Sequence, residues 1–579
     1  MSNKYSAKIK QNTALLYVFI LLLGISCKGA PKTLPYTVTQ TEKADTAMVV
    51  AAHPLASQAG VEIMRQGGNA IDAAIATQFA LAVVYPRAGN IGGGGFMVIR
   101  LQDGTADALD YREKAPLAAH RDMYLDSLGN PIGALSQAGH LAVGVPGTVA
   151  GMVAAHQKYG QIDNFADLLV PAIRLAKEGF NLSETETERL NEYRDRFLKY
   201  NKNAAPFVQK QPWHTADLLV QKDLAHTLEL IQQKGQKGFY EGETADKLVA
   251  EMQRGNGLIT HEDLKKYKAI WREPIIGEYK NHRIITMSPP SSGGVALMQM
   301  LNILEDYPLK EKGFHSPDAL HLMVEAMRRA YADRAEYLGD SDFWPVPTDS
   351  LLNEDYLATR MADFSMTKAT ASDTLSAGKF TLATESFETT HTSVVDGDGN
   401  AVSVTTTLNL NYGSKVIVEG AGFFLNDEMD DFSAKPGTPN YFGLIGNEAN
   451  AIQPEKRMLS SMTPTIAEKD GKLFLVLGTP GGSTIITSVL QVFLNVAEFG
   501  MPVDEAVNAH RFHHQWLPDE IWYEAGGLDT LLKKSLLDKG HTFIEKKYLA
   551  KMKAIQVLEN GQLHGAGDRR NADDDVESY

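Results

Sequence analysis

The hydrophobic pattern of this chain changes period along its length, and the change divides it into regions. The stretch "MVVAAHPLASQAGVEIMRQGGNAIDAAIATQFALAVVYP" reads as two helices. The first follows Pro54 and stops at Gly67-Gly68. Asn69 then caps an alanine-rich helix that ends before Pro86. "GNIGGGGFMVIRLQDGTADALDYRE" reads as a glycine loop feeding two strands joined at Asp103-Gly104. Further helices are predicted in "AGMVAAHQKYG", "FADLLVPAIRLAKEGF", "DLAHTLELIQQKG" and "DALHLMVEAMRRAYADRAEYLG". Strand-like "HRIITMSPP" leads into a turn at Ser291–Gly294 and another helix. From about Met366 to Glu388 the chain is rich in Thr, Ser and Ala and poor in core residues, the composition of a linker. Beyond it, "THTSVVDGDGNAVSVTTTLN" and "TPTIAEKDGKLFLVLGTPGG" alternate about turns at Asp396–Asn400 and Asp470-Gly471 and predict hairpins. A long apolar helix follows. Helices, central hairpins and helices again predict layered sheets flanked by helices.

Composition adds to this picture at the N-terminus. Lys4, Lys8 and Lys10 precede the apolar run from Ala14 to Ser26, which ends at Cys27. That is the form of an export signal, too short for a membrane span. Cys27 is the only cysteine, so the chain can form no internal disulfide and no cysteine-based metal site or thiol dyad is expected. A cysteine after "LGIS" predicts lipoprotein processing, with Cys27 as an acylated first residue; the alternative is a plainly cleaved signal. Both place the mature protein outside the cytoplasm, in the periplasm or cell envelope, and the first keeps it membrane-anchored. The remainder is an ordinary globular chain: 579 residues, 44% hydrophobic, 22% charged. Its formal charge of -15 and lack of a later basic run exclude a nucleic-acid partner.

Several motifs invite a function and fail on their chemistry. Gly92–Gly95 lacks a following Lys-Ser/Thr and precedes a strand, so close backbone packing is the better reading than a nucleotide site. "DGDGN" has Ala401 and Thr407 where a calcium loop needs Gly and Glu. His510, His513 and His514 match no zinc spacing and read as structural. No G-x-S-x-G elbow occurs. None of these motifs supplies a metal or nucleotide site.

Thr389 is different. A threonine hydroxyl needs a base, and an N-terminal threonine carries one in its own α-amine, whose pKa of about 7.7–8.0 lies near neutrality. Cutting Glu388–Thr389 would create nucleophile and base together. Thr389 Oγ could itself attack the Glu388 carbonyl, shift the acyl group from nitrogen to oxygen and leave an ester for water. From the residues alone, an ordinary strand start remains the better reading of "TT".

The motifs "TTHTSVVDGDGNAVSVTTTLN", "DEMDDFSAKPG", "RMLSSMTPTI", "GTPGGSTIITSVLQ" and "NAHRFHHQWLPDE" together resemble the small subunit of γ-glutamyltranspeptidases, members of the N-terminal-nucleophile hydrolase superfamily. Upstream, "GGNAIDAAIA", "GNIGGGGFM", "DYREKAP", "AVGVPGTVAG", "LITHEDLKKYKAIWREP" and "PPSSGG" resemble the large subunit in the same order. The resemblance spans about Asp45 to the C-terminus. It implies an α+β fold, a four-layer αββα sandwich, made as one precursor. Residues 1–27 would be the signal and 28–45 a linker. A large subunit, 46–388, and a small catalytic subunit, 389–579, would stay associated.

The resemblance also implies roles. Thr389 would be the nucleophile in self-cleavage and catalysis, with Thr407 bonding its freed amine or hydroxyl. Gly481 and Gly482 would offer N–H groups to the oxyanion. Arg112 would grip the donor's α-carboxylate as a fork, helped by Ser460 and Ser461. Asn409, Glu428 and Asp431 would receive its α-ammonium. Some family members carry Gln where Glu428 stands. The lid loop would lie in "SAKPGTPNYFGLIGNEAN", with Phe442 at the position of the family's lid tyrosine and Tyr441 beside it. The implied partners are glutathione and other γ-glutamyl compounds, with water, an amino acid or a dipeptide as acceptor; no metal or organic cofactor is implied, because nucleophile, base and oxyanion donors are all protein groups. Two alternatives remain: a related cephalosporin/glutaryl acylase, and an uncleaved lipid-anchored binding protein.

Overall fold

Strands buried on both faces set the architecture. The computed structural model describes residues 34–375 and 389–579; the expected signal, Cys27 and Glu388 lie outside the described residues. One seven-stranded sheet runs, in spatial order, Asp575–Ser578, Met48–Ala51, Thr390–Val395, Ala401–Thr407, Gly94–Arg100, Ala106–Asp110, Ile270–Arg272. The other runs Thr41–Ala44, Leu563–Gly567, Lys553–Val557, Lys472–Gly478, Thr465–Lys469, His282–Thr286, Ile275–Tyr279. Every neighbouring pair in both is antiparallel. Both predicted hairpins are present at the heart of these sheets.

Strand periodicity explains the layering. In Met48–Ala51, Met48 and Val50 join one hydrophobic core while Val49 and Ala51 join another. Gly94–Arg100 behaves alike, with Phe96 and Val98 on one side, Met97 and Ile99 on the other. The second core includes residues of helices Pro54–Arg65 and Ala70–Val84. The first includes the second sheet and helices Gly293–Glu305, Pro317–Tyr337 and Thr484–Ala497. Helix, sheet, sheet, helix is the resulting order, the αββα arrangement. Asn69 caps Ala70–Val84 as predicted, with Asp72 completing a capping box.

The two sheets touch through small polar side chains. Ser403 Oγ donates to the Leu477 carbonyl at 3.0 Å, and the Thr465 N–H donates to Ser403 Oγ at 3.0 Å. His391 is fully buried between them, with Nδ1 2.8 Å from Thr405 Oγ1 and Nε2 3.1 Å from Ser393 Oγ. Burial, with the Lys553 charge as a lesser cause, pushes its pKa well down and keeps the ring neutral.

The glycine run is a packing device. A Cβ on Gly93 would sit 2.1 Å from the Thr407 carbonyl oxygen, and one on Gly92 2.1 Å from that of Phe424. The linker reading needs a correction over its first part. Residues 366–375 dock on the body: the Ser372 N–H donates to Asp519 Oδ2 at 2.8 Å, its carbonyl accepts from Trp516 Nε1 at 2.9 Å, and its hydroxyl accepts from Arg328. Small polar residues here satisfy a buried arginine, a use that composition does not reveal.

Gly93→Ala is expected to push the Thr407 backbone aside and cost about 1–3 kcal/mol of stability. Calorimetry should show a lowered melting temperature; an unchanged one would mean that the glycine loop gives way freely.

Candidate active site

Thr389 precedes the central strand Thr390–Val395 and shares the inter-sheet face with His391 and Ser393, two and four residues on. It is buried, and its Oγ1 lies 3.4 Å from Thr407 Oγ1, a long contact for two hydroxyls. Thr407 ends the partner strand, and its hydroxyl accepts from the Asn409 N–H at 2.7 Å. That geometry needs a left-handed turn, which Asn409 supplies at φ +75°. The Asn409 side chain is oriented by its Nδ2 donating to the Asp427 carbonyl at 3.0 Å.

These residues line one pocket with Arg112, Arg334, Glu428, Asp431, Phe442, Ser460, Ser461 and Gly482. Gly481 and Gly482 form the turn into helix Thr484–Ala497, at φ +149° and +53°. A Cβ on Gly482 would meet the Phe442 ring at 2.5 Å, so Phe442 packs directly on the turn. Gly482 lines the pocket; Gly481 sits behind it against Thr484. Among the described residues neither glycine N–H donates a hydrogen bond. With the helix N-terminus beside them, they can stabilise developing negative charge.

Arg112 dominates the opposite wall. It follows strand Ala106–Asp110 and is completely buried, not the surface ion pair that its residue type alone suggests. Its Nη1 donates to Glu428 and its Nη2 to Asp431. Nε reaches the Met458 carbonyl at 3.3 Å, and Nη2 that of Leu459 at 3.4 Å. Glu113 Oε2 lies 3.7 Å from Nη1. Burial opposes the charge on Arg112, but Glu428, Asp431 and Glu113 outweigh it and raise its pKa. Burial raises the carboxyl pKa of Glu428 and Asp431, with Arg112 pulling the other way. Glu113 is raised to about 8, mainly by burial, and among the described residues neither of its side-chain oxygens has a hydrogen-bond partner.

The structure thus gathers Thr389, Thr407, Asn409, Arg112, Glu428, Asp431, Ser460, Ser461 and Gly482 at one pocket. The sequence missed Arg334. It lies on helix Pro317–Tyr337, and nothing in the helical pattern sets it apart from Arg328 and Arg329. Those two pair with Glu325. Elsewhere His321, Glu325 and His541 place potential metal-ligand atoms within 4.8 Å of one another. The Glu325 oxygens there are already bonded by Arg328, Arg329 and the Thr370 N–H, so the cluster is built as an ion-pair hub. His510, His513 and His514 are accounted for locally. His513 Nδ1 is 2.8 Å from Thr487 Oγ1, His514 Nε2 is 3.2 Å from Asp519, and His510 stands 3.9 Å from Glu524.

A family model described as Gamma-glutamyltranspeptidase matches residues 56–578. The chain belongs to the gamma-glutamyltranspeptidase family. It is 47% identical to the glutathione hydrolase proenzyme of Escherichia coli (strain K12) over 540 residues, 93% of this chain and 92% of that protein. The glutathione hydrolase proenzyme of Pseudomonas sp. (strain A14) is 50% identical over 540 residues, 91% of this chain and 93% of that one. Among solved structures, the cephalosporin acylase from Bacillus halodurans superposes with a TM-score of 0.81 at 26% identity, covering 95% of this chain and 99% of its own. The shared scaffold is that of the N-terminal-nucleophile hydrolases. In this family member, residues 46–388 and 389–579 both contribute to the pocket: Arg112 and Arg334 from the first, all the other lining residues from the second.

The Glu113 carboxyl offers a test of the electrostatics. Its folded pKa of about 8 exceeds the ordinary 4.5, so the folded state holds its proton where the unfolded chain releases it. Stability from this group is therefore full below the ordinary value and is lost as pH rises toward 8. Glu113→Gln should show a shallower fall of melting temperature between pH 5 and 8 than the parent, and equal slopes would remove Glu113 as the source.

Proposed function

We propose that this chain is a γ-glutamyltransferase and glutathione hydrolase, acting through an acyl-enzyme on Thr389 after cleavage of its own Glu388–Thr389 bond. The observation that carries the reading is the placement of a buried threonine hydroxyl, at the start of a central strand, in one pocket with a guanidinium paired to two carboxylates. Family membership and the proenzyme relatives support it.

In self-cleavage, Thr389 Oγ attacks the Glu388 carbonyl carbon, the C–N bond breaks as the acyl group moves to oxygen, and water hydrolyses the ester. Residues 46–388 become the large subunit and 389–579 the small one. The new α-amine then takes the proton of Thr389 Oγ. Thr407 Oγ1, fixed by the Asn409 N–H, holds that hydroxyl or amine in place. Thr389 attacks the γ-carbonyl of the donor, and the N–H groups of Gly481 and Gly482 receive the oxyanion. The amine product leaves. Water then releases glutamate, or an amino acid or dipeptide accepts the γ-glutamyl group. Asp431, Glu428 and Asn409 hold the α-ammonium, while Arg112, Ser460 and Ser461 serve the α-carboxylate. Phe442 covers the turn at Gly482 without a lid hydroxyl.

The acylase reading draws support from the cephalosporin acylase scaffold. Against it stands the pairing of Glu428 and Asp431 in the pocket, since a glutaryl side chain brings no ammonium for them. We further propose export through the signal at residues 1–27, with lipid attachment at Cys27. Among the described residues no helix is long and apolar enough to cross a membrane.

The purified protein should run as two fragments on a denaturing gel and release aniline from a γ-glutamyl anilide, faster with a dipeptide acceptor. Thr389→Ala should remain one chain without activity, and Thr389→Ser should be cut more slowly. A full-length chain that still turns over the anilide would sink the proposal.

A further inference from the structure

Arg334 is a buried cation with an unfilled coordination shell. A guanidinium has five N–H donors. In Arg334, Nε donates to Ser292 Oγ at 2.9 Å and Nη2 to Ser461 Oγ at 3.1 Å. Its other N–H groups meet no acceptor among the described residues, and no carboxylate there lies within ion-pairing distance. The contrast along the same helix is plain: Arg328 pairs with Glu325 and Asp519, and Arg329 with Glu325 and Asp363. Arg334 is 5% exposed, and what it faces is the Thr389 pocket. Burial lowers its pKa to about 10, which leaves it charged at neutral pH. A charge kept out of water with no carboxylate in contact is costly, and Asp431, the carboxylate whose field reaches it, is already paired with Arg112. The pocket can lower that cost by taking up an anion.

Arg112 is poorly placed to serve that anion alone. Its Nη1 and Nη2 are spent on Glu428 and Asp431, and its remaining contacts include the Met458 and Leu459 carbonyls. The one N–H not so engaged points along Nη1, where Glu113 stands 3.7 Å away. A bidentate grip on a carboxylate would require breaking one of the two ion pairs. Arg334 stands on the serine side of the pocket, and its hydroxyl partners fix its plane there. Ser292 Oγ accepts from Arg334 and donates to the Ser460 carbonyl at 2.6 Å. This ties the "PPSSGG" motif and the Ser460-Ser461 pair to one guanidinium.

We propose that Arg334 is a second cation for the donor's α-carboxylate, binding it alongside Ser461 and sharing it with Arg112, whose pairs with Glu428 and Asp431 leave it no free fork. The assignment rests on the donor being a γ-glutamyl compound. It makes α-carboxylate recognition a property of helix Pro317–Tyr337 as well as of the segment after Ala106–Asp110.

The test compares γ-glutamyl-4-nitroanilide with 4-aminobutanoyl-4-nitroanilide, the same donor without its α-carboxylate. Arg334→Met should lower kcat/KM for the first by about 10- to 100-fold, the size of a lost charge-assisted hydrogen bond, mainly through KM. For the second compound kcat/KM should move little. Arg334→Lys, which keeps a cation, should restore part of the preference. Where the shorter anilide turns over too slowly, its Ki against the γ-glutamyl anilide supplies the comparison. Should Arg334→Met fail to split into two chains, Arg334→Lys decides, with a smaller fall in the same ratio. A preference for the carboxylate-bearing donor that is unchanged in the processed variant, or equal losses on both compounds, would overturn the proposal. A parent enzyme that turns over neither anilide would instead reject the donor reading itself.

Discussion

A guanidinium sealed among three carboxylates is the interaction on which the pocket depends. Arg112 is fully buried against Glu113, Glu428 and Asp431, and these groups come from two distant parts of the chain. Taking such charges out of water costs several kcal/mol per ion unless geometry and hydrogen bonds repay it. Here the geometry is tight. The Arg112 N–H donates to Asp110 at 2.9 Å, and its carbonyl accepts from Tyr267 at 2.7 Å, so backbone and side chain are held together. Asp110 in turn pairs with Arg272 and Arg457. Removing Arg112 would leave Glu428 and Asp431 buried and uncompensated, which is why the cluster acts as one unit.

The same joining of distant segments appears in the sheets. Thr390–Val395 is flanked by Met48–Ala51 on one side and Ala401–Thr407 on the other, and the latter pairs with Gly94–Arg100. Each sheet therefore contains strands from both before and after residue 388, hydrogen-bonded side by side. Under the proposed cleavage, no hydrogen bond of these ladders is lost. The two pieces would part only by unpairing strands buried on both faces. Cleavage frees one chain end beside Thr389 and leaves the remainder in register, which suits a reaction that must create a nucleophile without disturbing its surroundings.

How much of this was legible in the sequence varies with the physics involved. Asn69 as a cap, the Asp103-Gly104 and Asp396–Asn400 turns, and the alternation in both hairpins are local signals, and each element stands where its pattern puts it. Sheet order was not legible, because pairing Thr41–Ala44 with Leu563–Gly567 joins residues over 500 positions apart and leaves no local trace. Neither was the docking of residues 366–375, where Ser372 serves Arg328 and Asp519. Within the pocket, single residues such as Asp431 carried no signal by spacing; several long motifs in order did. Arg334 escaped because an arginine on a largely buried helix reads the same whether it faces a carboxylate or a cavity.

The charge balance of the pocket bears on which donors suit it. Two guanidinium groups, Arg112 and Arg334, share the pocket with Glu428 and Asp431; Arg112 pairs with both, and burial pushes Glu113 toward its neutral form. With Glu113 neutral, and with Glu428 and Asp431 ionised against Arg112, these groups sum to zero; burial works against that ionisation. A γ-glutamyl donor brings one ammonium and one carboxylate, so the sum stays at zero, and each incoming charge finds an opposite one already in place. A glutaryl donor brings a carboxylate alone. It could satisfy Arg334, but it would leave the pocket one charge more negative in a region where water is excluded and charge is poorly screened. Under the proposed reaction, selection for a zwitterion would follow from the count and placement of buried charges rather than from the size of the cavity. It would hold with Arg112 still engaged by Glu428 and Asp431, because Arg334 brings the second positive charge.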